Sequence, residues 1–261
     1  MQLRVNRGVS AILPDPSDGE RSVMAAQYRA TAAILDSDGL TADSVKRLGT
    51  NCAAFTNGVL AKERQAVPRA CNAGCSWCCV LEISAWPTEV LHLTGLIENK
   101  VSPDEQRTLL RKLRETLQLR DESWARGEVP RVYCPLLSPD GKCSVYEVRP
   151  SSCSAAENDL EEPCRAYAEG WSGDDEGEMR TILPLLLPAE VVAHAIQEQK
   201  GPLVTASGGR IDFHEGLLTA LELGADNAAA TWLKGQDVFR GPRDRFRRRN
   251  EDPTAIASAT D

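Results

Sequence analysis

Apolar residues recur at three- and four-residue steps through most of this chain, and that period predicts helices. A first helix is expected from Arg21 to Leu35. A second starts after Thr41, a capping residue, and carries Val45, Leu48, Cys52, Phe55 and Val59 on one stripe. Pro68 closes that region, and Val80-Leu-Glu-Ile-Ser reads as a short extended segment. Pro87-Thr-Glu opens a third helix, with Val90, Leu91, Leu93 and Leu96 on its apolar side. Ser102-Pro-Asp-Glu combines a capping Ser, Pro at the first helical position and an acidic first turn. The helix it starts buries Leu109, Leu110, Leu113 and Leu117. From Val132 to Gly173 Pro, Gly, Ser and Cys interrupt the pattern and no helix period survives. Helices resume with Pro188-Ala-Glu, ending near Lys200, then at Ile211 to Leu223 and Asp226 to Leu233.

The predicted fold is therefore mainly α. Residues 21–240 form a single helical domain, between an irregular arm at 1–20 and a disordered Arg-rich tail at 241–261. The tail reads as solvated chain rather than an anion-binding arm. There are no internal repeats.

Composition narrows the classes. With 261 residues, 42% of them hydrophobic, the chain can build a core without staples. The net charge of −8 argues against general nucleic-acid binding. No stretch approaches the length of a membrane-spanning helix, and the first residues lack the apolar run of a signal peptide. A cytoplasmic protein is expected, where thiols stay reduced. There is no glycine-rich phosphate loop and no serine-nucleophile elbow, so no catalytic residue is assigned.

The cysteines change the picture most. Eight of the nine lie between Cys71 and Cys164. Cys71, Cys75, Cys78 and Cys79 share one short run, and Cys134, Cys143, Cys153 and Cys164 follow at wider intervals. Thiolates at this density bind a soft metal or an iron–sulfur cluster, or pair as disulfides. An odd count, a real core and a reducing compartment favour metal. The tight run can wrap three sulfurs around a cubane with one remote thiolate, whereas a zinc ribbon needs two short knuckles and only one is present. A 4Fe-4S cluster is the first choice and zinc the second. Cys71, Cys75 and Cys78 lead as ligands, Cys79, Cys134, Cys143 and Cys153 compete for the rest, and Cys164 is the weakest of the eight. A helical hairpin is expected to bring the two irregular cysteine-rich loops together at this metal centre. Cys52, on an apolar stripe, reads as a buried small hydrophobe. His92, His194 and His214 have no ligand spacing to a cysteine and read as ordinary core or surface histidines.

The run with Trp77 resembles, over its few residues, the cluster motif of radical S-adenosylmethionine enzymes, but no alternating strands and helices supply their barrel. A longer resemblance is to the YkgJ-type cysteine-cluster family, a zinc- or iron-chelating domain named for a CxxCxxCC run. It rests on Cys71-x3-Cys75-x2-Cys78-Cys79, Cys134-Pro-Leu-Leu, Gly141-Lys-Cys143-Ser-Val-Tyr146-Glu-Val-Arg149-Pro150-Ser-Ser-Cys153 and Pro163-Cys164. The first spacing is three rather than two, and Ser154 stands where an Arg is common. The resemblance implies metal binding with a structural, electron-transfer or metal-handling role. It also leaves open an iron–sulfur enzyme with an open cluster site for redox or S-adenosylmethionine-dependent, methylase-like group transfer. Arg149 would offset the charge of a thiolate-bound cluster or pair with Glu147. Tyr146 and Tyr133 would donate O–H groups to cluster sulfurs or pack as core. No protein partner is indicated.

Overall fold

The computed structural model describes residues 2–5, 9–12, 17–67, 69–170, 183–200 and 209–239. The Arg-rich tail at 241–261 lies outside these described residues, as does the whole stretch 171–182. The fold is mainly helical, as expected. Helices α1 (Asp18–Asp38), α2 (Ala42–Ala66), α3 (Pro87–Lys100) and α4 (Pro103–Ala125) come first. After the irregular middle come α5 (Ser151–Ala155), α6 (Glu162–Glu169), α7 (Leu187–Lys200), α8 (Phe213–Leu223) and α9 (Ala225–Leu233). Among the described residues two small antiparallel pairs accompany the helices: β1 (Gln2–Val5) with β2 (Val9–Ile12), and β3 (Ser84–Ala85) with β4 (Ile211–Asp212).

Local chemistry sets the helix starts. Thr41 accepts the Ser44 amide at 3.1 Å, and Ser102 and Glu105 cap α4 reciprocally. Helix α1 begins three residues before the expected Arg21, because Ser17 and Glu20 form a capping box with the Ser17 amide on Glu20 at 2.6 Å. The start of the chain is not wholly irregular, since β1 and β2 pair from Gln2↔Ile12 to Val5↔Val9.

Helix α3 is the hub. It was expected to show one apolar side, yet Thr88, Glu89, His92 and Thr94 are buried along with Val90, Leu91 and Leu93. Helices α2, α8 and α9 all pack against it, so its first nine residues are buried on every side. Gly49 makes the α2 contact possible: a Cβ there would lie 2.9 Å from the Thr88 carbonyl oxygen and 2.8 Å from His92 Cγ. Cys52 joins this core, 2% exposed, as its position on the stripe implied. A smaller cluster of Val59, Leu60, Ala155 and Leu185 sits where α2 meets α5.

The expected extended segment at 80–84 meets β3 only at Ser84, because Val80 closes a 3-10 turn, and β4, the partner of β3, forms the first two residues of the helix expected from Ile211. Asp212 ends that strand and caps α8, accepting the Glu215 amide at 2.9 Å. The middle of the chain also holds more helix than its pattern suggested, in α5 and α6. No helix among the described residues is long and apolar enough to cross a membrane.

Candidate metal centre

The cysteine run begins in a loop and ends in a 3-10 turn over Trp77–Val80. Gly74 takes φ +143°, which L side chains rarely adopt, and lets the chain turn between Cys71 and Cys75. Val80, 1% exposed, anchors the turn in the core and leaves Cys78 and Cys79 side by side.

Three later stretches close on this turn. The Cys134 amide donates to the Cys79 carbonyl at 2.9 Å. A tight turn from Ser138 to Lys142, with Gly141 at φ +76°, returns the chain so that Cys143 bridges to Leu137. Helix α5 carries Cys153. It is held by Glu89, which accepts the Ser151 amide at 2.7 Å, and by Ser152, which donates to the Ser84 carbonyl at 2.6 Å. Helix α6 packs on the 3-10 turn and carries Cys164, whose neighbours include Cys71 and Cys75. Trp77 Nε1 donates to Glu161 at 2.7 Å, beside the start of that helix. The Asn158 amide donates to Cys71 Sγ at 3.2 Å, and the Ala70 amide to the Asn158 carbonyl at 3.0 Å. All eight cysteines singled out from the sequence are therefore drawn into one region, and each is a free thiol.

Electrostatically the eight form two groups that meet at Cys78. Burial first, then Cys71, Cys78 and Cys75, pushes the Cys164 thiol up to about 12. Cys71 and Cys75 are raised too, by burial and then by neighbouring acids and thiols, Cys78 among them. On the other side burial raises Cys134 to about 12, with Cys143 and Cys78 adding to it. Cys153 is raised by burial and then by Cys134 and Cys78. Cys143 is raised by burial, against the opposing charge of Arg149. Cys78 alone falls, to about 7, because the Cys79 thiol hydrogen-bonds its thiolate and Arg149 adds positive charge. Cys79 rises correspondingly, with Cys134 and Cys153 among its neighbours.

These surroundings penalise a set of bare thiolates by burial and mutual repulsion. A bound cation removes both penalties and displaces the thiol protons. The donor set is all sulfur, which suits zinc or iron–sulfur ligation. The fit lies in donor chemistry rather than finished geometry. Among the described residues no group of three or more His, Cys, Asp or Glu side chains stands ready to hold an ion.

Arg149 does not pair with Glu147. It lies over the Tyr146 ring, 4.3 Å from the centroid, donates to Ser154 Oγ at 3.1 Å and meets Glu157 at 3.3 Å. Ser154 thus serves as the acceptor for an Arg five positions earlier. Glu157, 1% exposed, also pairs with Arg64, whose Nη2 donates to the Tyr146 hydroxyl at 2.9 Å. Tyr146 is held by these two arginines, and Tyr133 is exposed rather than in the core.

His92 is buried in the core and His194 is exposed, as read from their helices. His214 is a buried core histidine too, and it also meets a cysteine. Its Nε2 lies 3.2 Å from Cys134 Sγ, and its Nδ1 is 2.8 Å from Nη1 of Arg120. Arg120 is fully buried. One signal was present in the sequence: the spacing Leu113, Leu117, Arg120 continues the apolar stripe of α4 into a charged residue.

No curated protein and no solved structure matches the chain. Residues 70–170, which contain all eight clustered cysteines, match the model of the CxxCxxCC family, described as a “Putative zinc- or iron-chelating domain”.

Proposed function

We propose that this protein binds metal through a cysteine-ligated centre, an iron–sulfur cluster in first place and zinc in second, with a structural, electron-transfer or metal-handling role. The observation that carries the reading is the convergence of Cys71, Cys75, Cys78, Cys79, Cys134, Cys143, Cys153 and Cys164 from separated stretches onto one 3-10 turn. Cys71, Cys75 and Cys164 would act on one side and Cys134, Cys143 and Cys153 on the other, with Cys78 the thiol both sets face and Cys79 beside it facing Cys134 and Cys153. Such a centre supplies charge neutralisation and cross-linking and, if it contains iron, one-electron chemistry. Arg149 offsets thiolate charge from beside Cys78, and Tyr146 keeps its guanidinium in place. Free thiols in this number suit a reducing compartment, and we assign the protein to the cytoplasm on that ground.

Anaerobic purification followed by iron, zinc and acid-labile sulfide analysis tests the reading. About four iron and four sulfide per chain mark one cubane, and about eight of each mark two. Zinc without sulfide makes the centre structural or metal-handling. A protein with neither metal sinks the proposal. Binding of S-adenosylmethionine to an iron-loaded protein would instead favour an enzyme with an open cluster site.

A further inference from the structure

The residues around Cys134 go beyond ligand assignment. Arg120 comes from the last third of α4 and His214 from the first turn of α8, and both are buried. Their side chains form a chain of contacts ending on sulfur. Nη1 of Arg120 is 2.8 Å from Nδ1 of His214, and Nε2 of His214 is 3.2 Å from Cys134 Sγ. Nη2 of Arg120 donates to the Leu81 carbonyl at 3.4 Å, which fixes the guanidinium from its other side. The imidazole is fixed in turn by the Asp212 cap at the start of its helix and by the Phe213 ring, 4.9 Å away.

A guanidinium carries only donors. The nitrogen it meets, Nδ1, must present a lone pair. A neutral imidazole has a single N–H, which is then on Nε2, facing the sulfur. The same logic excludes His214 as a metal ligand in this arrangement, because lone pairs on both nitrogens would require an imidazolate. We propose that Arg120 locks His214 as the N–H donor to the Cys134 sulfur, making the two a buried positioning pair for that cysteine. An N–H given to sulfur favours thiolate over thiol and aims its remaining lone pairs. Where Cys134 binds metal, as proposed above, the bond withdraws electron density from the metal–sulfur link and orients the ligand. His214 is a positioning residue and acts on the metal only through Cys134.

Two measurements test this. Long-range ¹H–¹⁵N correlation on the full-length wild-type chain reads the His214 tautomer, identified by the signals missing from His214→Gln. The Nε2–H form is expected, and an Nδ1–H form or an imidazolium overturns the lock. Metal retention against a competing chelator then reads its consequence. His214→Leu should lose about 10–100-fold in affinity, the range for partners of metal ligands. His214→Gln, whose amide keeps a donor, should recover most of it. Wild-type affinity in the Leu variant, or no recovery in a folded Gln variant, overturns the role. The tautomer measurement needs no variant to fold beyond the one used for assignment, and Cys134→Ser replaces it there if necessary. If wild-type protein holds no metal, the metal-centre reading falls, while the tautomer still decides whether the lock exists.

Discussion

Cys52 and Cys75 carry the same thiol into opposite surroundings. Cys52 sits in the α2 stripe, packed in the main core with Leu48, and burial pushes its thiol well above the ordinary range. Cys75 sits in the loop before the 3-10 turn, partly exposed, where burial and then Cys78 raise its thiol. Cys75→Ala should therefore strip the metal held with Cys71, Cys78 and Cys164, while Cys52→Ala should keep full metal content. The Cys52 variant should lose only about 1 kcal/mol of stability, the cost of a small core deletion. Metal analysis and denaturant titration of both variants check this, and full occupancy in the Cys75 variant would remove it from the ligand set. Which cysteines stand apart was legible from the sequence, because an apolar stripe and a tight run are local patterns. The partner of Cys134 was not, since His214 lies 80 positions away and nothing local marks the meeting.

Helix pairs were legible where a cap and a stripe coincide, as in α2 and α4. Other elements were hidden for physical reasons. Helices α5 and α6 have five and eight residues, too short for a period to show, and they depend on outside partners such as Glu89 rather than propensity. The burial of the first nine residues of α3 on every side is a tertiary outcome, and it makes Gly49 indispensable to the α2 contact. Gly49→Ala would drive a methyl group against the Thr88 carbonyl and the His92 ring. A loss of about 2–3 kcal/mol is expected from such overpacking despite the better helix propensity of Ala. Thermal or denaturant unfolding reads it, and an Ala variant as stable as wild type would show that the two helices can separate freely.

For the whole molecule, stability should depend on pH through Asp212. Burial raises its carboxyl to about 6, against the opposing pull of the Glu215 amide and Arg120. Because the folded state holds this proton more tightly than the unfolded chain, its contribution is full below the ordinary carboxylate range. It is lost as pH rises towards about 6. Asp212→Asn keeps a capping oxygen and removes the titration. The stability difference between wild type and variant should shift by about 3 kcal/mol against wild type from pH 4 to pH 7. A difference that stays flat over that window would mean Asp212 titrates alike in both states.

The hydrogen bond from the Asn158 amide to Cys71 joins residues 87 positions apart. Closing a loop of that length costs about 4 kcal/mol of chain entropy, before any constant term. The contact therefore belongs late in folding, after α3 and α4 are in place between its two ends. During synthesis the first cysteine run leaves the ribosome long before Cys164 exists, so an ion captured then has half its donors missing. An ion gripping both sides of the gap would offset the closure cost. Occupancy would then act as a latch, marking chains whose two ends of this segment have already met.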